Sequence, residues 1–136
     1  MPDETKIEVV SEAGVVSARQ EGRALAEQLG FSSTEQTLIA TAISEIARNI
    51  IQYAHRGEVE MAVTSDAGRK GISVVARDEG PGIPDIEKAM RDGYTTGKGM
   101  GLGLSGARRL MDEFELDSQV GEGTTVRMIK WNYRLG

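Results

Sequence analysis

The apolar residues along this chain change period several times, and each change marks an element. KIEVV, from Lys6 to Val10, is β-branched and partly alternating, the pattern of a short strand. From Val15 to Leu29 the spacing turns helical, with Val16, Ala24, Leu25 and Leu29 as apolar positions and Gly30 as the stop. Ser32, followed three residues on by Glu35, has the form of a capping box, which satisfies exposed N–H groups at a helix start. The helix it opens carries Leu38, Ile39, Ala42, Ile43, Ile46, Ile50 and Ala54 on one face. It is expected to end near His55, before Arg56-Gly57.

Alternation then takes over. Val59 to Asp66 and Gly71 to Asp78 read as two strands joined at Ala67-Gly68, a hairpin. Glu79 to Pro84 is a loop by composition, Asp85 to Arg91 a short helix, and a polar glycine-bearing segment follows. Leu102 to Met111 is helical, with Leu104, Ala107, Leu110 and Met111 inward and Arg108 and Arg109 outward. Phe114 to Leu116 forms a brief strand, and Gly121 and Gly123 turn the chain into a last strand, Thr124 to Tyr133. The order predicts an α/β (α+β) two-layer sandwich, a mixed and mostly antiparallel sheet with a helical layer on one face. No repeat, low-complexity tract or linker interrupts it, so residues 1–136 are expected to form one domain.

Composition narrows the function more than the fold. The absence of cysteine excludes disulfides and thiolate metal sites. A net charge of -5 without a basic cluster argues against nucleic acid as a partner. MPDETKIEVV has no apolar signal core, and no apolar run approaches a bilayer span. A soluble cytoplasmic protein with no membrane partner is the expectation.

The candidate chemistry lies in three places. GKGMGLGL, Gly97 to Leu104, spaces glycines at alternate positions directly before a helix, where bare backbone and free N–H groups make an anion site. Alone, it is open between a phosphate cradle and a surface turn. It is no dinucleotide fingerprint, because no strand leads directly into GLGLSG, and no P-loop, because Gly99 follows Lys98. The protein-kinase loop fails as well, since Arg108 stands where valine is needed and no His-Arg-Asp or Asp-Phe-Gly occurs. In SEIARNIIQYAH, Glu45 and Asn49 are four residues apart on one helix face, with Gln52 on the same stripe. The pair fits a general base with a magnesium ligand, or a solvated face. In RDEGPGI, Asp78 ends a strand before Gly80 and Gly82, as an acceptor for an exocyclic amine or as a plain turn.

The ordered set is more specific than its members: E-x-x-x-N on a helix, D-x-G-x-G after a strand, G-x-G-x-G-x-G before a helix, then G-x-G-T-T into a strand. It resembles the GHKL, or Bergerat-fold, ATP-binding domain shared by histidine kinases, type II topoisomerases, Hsp90 chaperones and mismatch-repair ATPases. The compact length, the E-x-x-R-N form of the helix motif and GLGLSGARRLMDEFE are most similar to the small bacterial anti-sigma-factor serine/threonine kinases, the stressosome switch kinases in particular.

That resemblance implies an ATP- and magnesium-dependent kinase that phosphorylates serine or threonine on STAS-domain proteins. It also implies a change of partner with phosphorylation state, to a PP2C-type phosphatase or a sigma factor. Glu45 would be the catalytic base and Asn49 the magnesium ligand. Asp78 would take the adenine amino hydrogen, Gly80 and Gly82 would pass the base, and Ile83 would pack on it. Gly97, Lys98, Gly99, Met100, Gly101, Leu102 and Gly103 would form the lid end and phosphate cradle, with Thr125 completing the adenine pocket. Arg48 would lie at the edge of the site. His55, the one histidine, has no phospho-acceptor hairpin around it and reads as a structural group; Trp131 and Tyr133 read as packing. Two alternatives are an ATP-dependent sequestering factor for a sigma factor and a detached sensor-kinase catalytic domain.

Overall fold

A computed structural model describes residues 4–83, 90 and 103–133. Strand β1 spans Glu4–Val9, helix α1 Glu12–Gln28 and helix α2 Ser33–Ala54; strands β2 and β3 span Gly57–Asp66 and Arg69–Asp78. Helix α3 covers Gly103–Leu110, and strands β4 and β5 cover Glu113–Gln119 and Gly123–Asn132. The short helix expected over Asp85 to Arg91 lies outside the described residues, apart from Met90 in a turn.

The five strands form one sheet in the order β1-β2-β3-β5-β4, and all four pairings are antiparallel. The β2–β3 hairpin closes through two left-handed residues, Ala67 at φ 54° and Gly68 at φ 84°, between the paired Asp66 and Arg69. Strand β4 is longer than the three residues expected, because Glu115 and Asp117 alternate with the half-buried Leu116 and Ser118 along a sheet edge.

The helices lie on one side of this sheet. Val9, Val59, Met61, Ile72, Val74, Ala76, Val126 and Met128 face them, and Ile39, Ile43, Ile46 and Ile50 of α2 fill the space between. Helix α2 is the central helix of the layer, packed against both α1 and α3. Its start is the expected capping box: Glu35 N–H donates to Ser32 Oγ at 3.1 Å and Ser32 N–H donates to Glu35 Oε1 at 3.1 Å. Its end is His55, exposed and left-handed at φ 71°.

Helix α1 corrects the sequence reading. Its buried face is Val15, Ala18, Gly22 and Ala26; Val16 is half-buried and Ala24 is exposed. The contact is made by small residues: a Cβ on Gly22 would lie 2.2 Å from Ile43 Cδ1, so α1 and α2 approach closely there. A pattern built from large apolar side chains misses such a face. In α3, Leu104 and Ala107 are buried as expected, Leu110 is half-buried, Met111 just past the helix end is buried, and Arg108 and Arg109 are exposed. Trp131 is buried under Arg69, whose guanidinium lies 4.1 Å from the ring centroid, and its Nε1–H donates to Glu113 Oε2 at 2.7 Å.

Candidate active site

Asp78 is the last residue of β3 and shares the helix-facing side with Val74 and Ala76. Its Oδ1 accepts the Gly80 N–H at 2.9 Å, which fixes the carboxylate and folds the following turn under it. Gly57, paired with Asp78, abuts Ile50 of α2; a Cβ there would lie 2.8 Å from Ile50 Cγ2. A Cβ on Gly80 would lie 2.5 Å from the Ala54 Cβ. The end of α2, the end of β3 and the turn after it are thus closely packed around Asp78.

The β4–β5 turn completes this end of the sheet. Gly82 has φ 80°, and a Cβ there would lie 2.4 Å from the Gln119 carbonyl oxygen. Gly123 has φ 131°, with the Asp78 carbonyl oxygen 2.2 Å from where its Cβ would sit. Neither position admits another residue without moving the backbone it abuts, that of Gln119 for Gly82 and that of Asp78 for Gly123. Ser118 ties the parts together: its Oγ accepts the Ile83 N–H at 2.8 Å and lies 2.8 Å from Thr124 Oγ1.

The strand register separates the two adjacent threonines. Residues directly opposite in an antiparallel pair point to the same face. Asp78 pairs with Thr124 and Arg77 with Thr125, so Thr124 shares the Asp78 face, while Thr125 belongs to the other face and lines the cavity at this edge of the sheet together with Asp78. Thr124 is buried on the Asp78 side. The sequence offers two adjacent threonines, and only the register of β5 against β3 separates them. Ser118 was missed as well, because nothing in a lone serine on an edge strand marks it.

Glu45 and Asn49 come from the middle of α2. The Glu45 side chain is 11% exposed, and Asn49 is half-buried. Arg48 lies beside Glu45, with Nη1 3.9 Å from Glu45 Oε1. Gln52 is exposed. At 1.5 Å per residue, Asn49 is about 7.5 Å along the axis before Ala54, and Glu45 about 6 Å beyond that. The helix thus runs from the Asp78 pocket past Asn49 to Glu45.

Of the glycine-rich stretch, Gly97, Lys98, Gly99, Met100, Gly101 and Leu102 lie outside the described residues. Gly103 is the first residue of α3, which packs on α2. Among the described residues no group of three or more His, Cys, Asp and Glu converges on a point, so a cation here would draw most of its ligands from phosphate oxygens and water.

The model of the histidine kinase-like ATPase domain matches residues 10–130. The chain belongs to that family. Serine/threonine-protein kinase RsbT of Bacillus subtilis (strain 168) is 50% identical over 131 residues, covering 96% of this chain and 98% of the relative. The anti-sigma F factor of Thermoanaerobacter sp. (strain X514) is 38% identical over 119 residues, covering 84% of this chain and 82% of the relative. Among solved structures, the RsbU and RsbW domains of a Mycobacterium tuberculosis protein share the fold at a TM-score of 0.63 and 16% identity, over 93% of this chain and 32% of that one. The catalytic domain of histidine kinase ThkA does so at a TM-score of 0.52 and 17% identity, over 93% and 95%. This histidine kinase-like ATPase is therefore an ATP-binding enzyme, and its kinship with RsbT makes it a serine/threonine-protein kinase. No described helix is long and apolar enough to cross a membrane.

The pocket suits the base of ATP. Asp78 presents a carboxylate held by the Gly80 N–H, and Thr124 brings a hydroxyl already linked through Ser118 to the Ile83 backbone.

Proposed function

We propose that this chain is a cytoplasmic, magnesium-dependent kinase that transfers the γ-phosphoryl group of ATP to a serine or threonine of a STAS-domain protein, and that it exchanges partners with phosphorylation state, activating a PP2C-type phosphatase. The observation that carries this reading is the arrangement along α2: the recessed Glu45 and Asn49 on one face, with the Asp78 pocket at the end of the helix. The whole of 1–136 acts as one unit in this reading.

Asp78 accepts the adenine amino hydrogen, and Thr124, in place of Thr125, adds the second polar contact. Gly80 and Gly82 let the base lie against the backbone, with Ile83 beside it. Asn49 would hold magnesium, which would neutralise phosphate charge. Contacts to the phosphates are assigned on the motif alone to Lys98 and to the backbone from Gly97 to Gly103, with Met100 and Leu102; Gly97 to Leu102 lie outside the described residues. Phosphoryl transfer depends mainly on positioning and charge neutralisation. Glu45 orients the acceptor hydroxyl and takes its proton as the oxygen–phosphorus bond forms. The bond to the bridging oxygen breaks, and its electron pair leaves with ADP.

Incubation with magnesium, radiolabelled ATP and STAS-domain proteins of the source organism tests this. Acid-stable label on serine or threonine is the expected result; acid-labile label would point to a histidine acceptor, and nucleotide binding without label would remove the kinase mechanism. A second reading, an ATP-dependent sigma-factor antagonist, draws on the 38% identity to an anti-sigma F factor. A pull-down in ATP and in ADP separates the two by partner.

A further inference from the structure

Glu45 is touched from a second helix through an intermediary. Arg48, one turn further along α2, places Nη1 3.9 Å from Glu45 Oε1, while its Nη2 lies 3.6 Å from Oε2 of Glu12, the first residue of α1. One guanidinium therefore lies between carboxylates of two helices. The Arg48 side chain is 46% exposed and that of Glu12 65%, against 11% for Glu45. Ion pairs this long and exposed contribute about 0–1 kcal/mol, so stability is a poor account of them. Aim is a better one. The last torsion of a glutamate is soft, and a base displaced by about 1 Å can lose on the order of 100-fold in rate.

We propose that Arg48 is a positioning residue for Glu45: one arm of its fork holds the carboxylate towards the acceptor hydroxyl, and Glu12 anchors the other arm from α1. The inference rests on reading Glu45 as the base. Arginine suits the task because its planar group offers diverging N–H donors, whereas lysine offers a point charge. The arrangement also couples the start of α1 to the chemistry, although α1 supplies no residue to the nucleotide pocket described above.

The test is steady-state phosphorylation of a STAS-domain protein by the full chain and by Arg48→Gln, Arg48→Lys and Glu12→Gln, with magnesium-ATP affinity and melting temperature measured in parallel. Arg48→Gln is expected to lower kcat on the order of 10- to 100-fold while KM for ATP and the melting temperature stay close to wild type. Arg48→Lys should recover part of that loss, and Glu12→Gln should cost a few-fold, about the effect of loosening one anchor. In a Glu45→Ala background Arg48→Gln should have no further effect, because the two act as a unit.

An unchanged kcat in Arg48→Gln, a raised KM with kcat intact, or additive losses would each overturn the proposal while leaving the kinase reading in place. If Arg48→Gln melts early, Arg48→Lys decides: a wild-type kcat there would also overturn it. Absence of transfer by the wild-type chain would instead defeat the kinase reading, and this inference with it.

Discussion

Asp78 and Thr124 meet across β3 and β5, and Ser118 Oγ links Thr124 to the Ile83 N–H, so this end of the sheet presents a carboxylate and a hydroxyl on one side. A carboxylate that accepts the adenine amine should be worth more than a neutral contact. Asp78→Asn is expected to weaken magnesium-ATP binding by about 10- to 100-fold in calorimetry. Thr124→Val should weaken it as well and lower stability by about 1 kcal/mol through the lost Ser118 contact. Thr125→Val, on the other face, should leave affinity unchanged; a loss there equal to that of Thr124→Val would contradict the assignment. The place of Asp78 at a strand end before two glycines was legible because that is a local pattern. Which threonine shares its face was not, since strand residues alternate faces and the sequence does not state which residue of β5 opposes Asp78.

Among the elements, α2 was the most legible and α1 the least. A run of large apolar residues at helical spacing and a capping box both lie in the local sequence of α2, and both are found. The buried face of α1 is built on Gly22 and two alanines, which carry almost no hydrophobic signal and matter because Ile43 packs there. The end of α2 gives a prediction of its own. His55 stands left-handed at φ 71°, a conformation that costs a residue with a Cβ about 1 kcal/mol and glycine almost nothing. His55→Gly is expected to raise stability by about 0.5–1 kcal/mol in denaturant unfolding, less what glycine adds to the freedom of the unfolded chain. The same variant should still transfer phosphate, because His55 is read as structural. Loss of transfer with the fold intact would reopen its part in the chemistry.

For the molecule as a whole, the sequence foretold two layers, the β2–β3 hairpin and the order of motifs. It did not foretell that β5 lies between β3 and β4, because pairing between distant strands leaves no local trace. That insertion sets Gly123 against the Asp78 carbonyl and brings the β4–β5 turn to the pocket. The same sheet order leaves one face without a described helix, where Arg77 lies between Glu58 at 3.5 Å and Glu60 at 3.3 Å, and Lys6 lies 3.8 Å from Glu58. The Asp78 carboxylate and Glu45 both belong to the helical side, at opposite ends of one stretch of α2. In the proposed function, binding and transfer are therefore separable. The most direct measurement is a parallel assay of Glu45→Ala for magnesium-ATP affinity and for phosphorylation of a STAS-domain protein. Affinity within about twofold of wild type, with kcat reduced by 10² or more, is the predicted result. Transfer at the wild-type rate would contradict the assignment of Glu45 as the base.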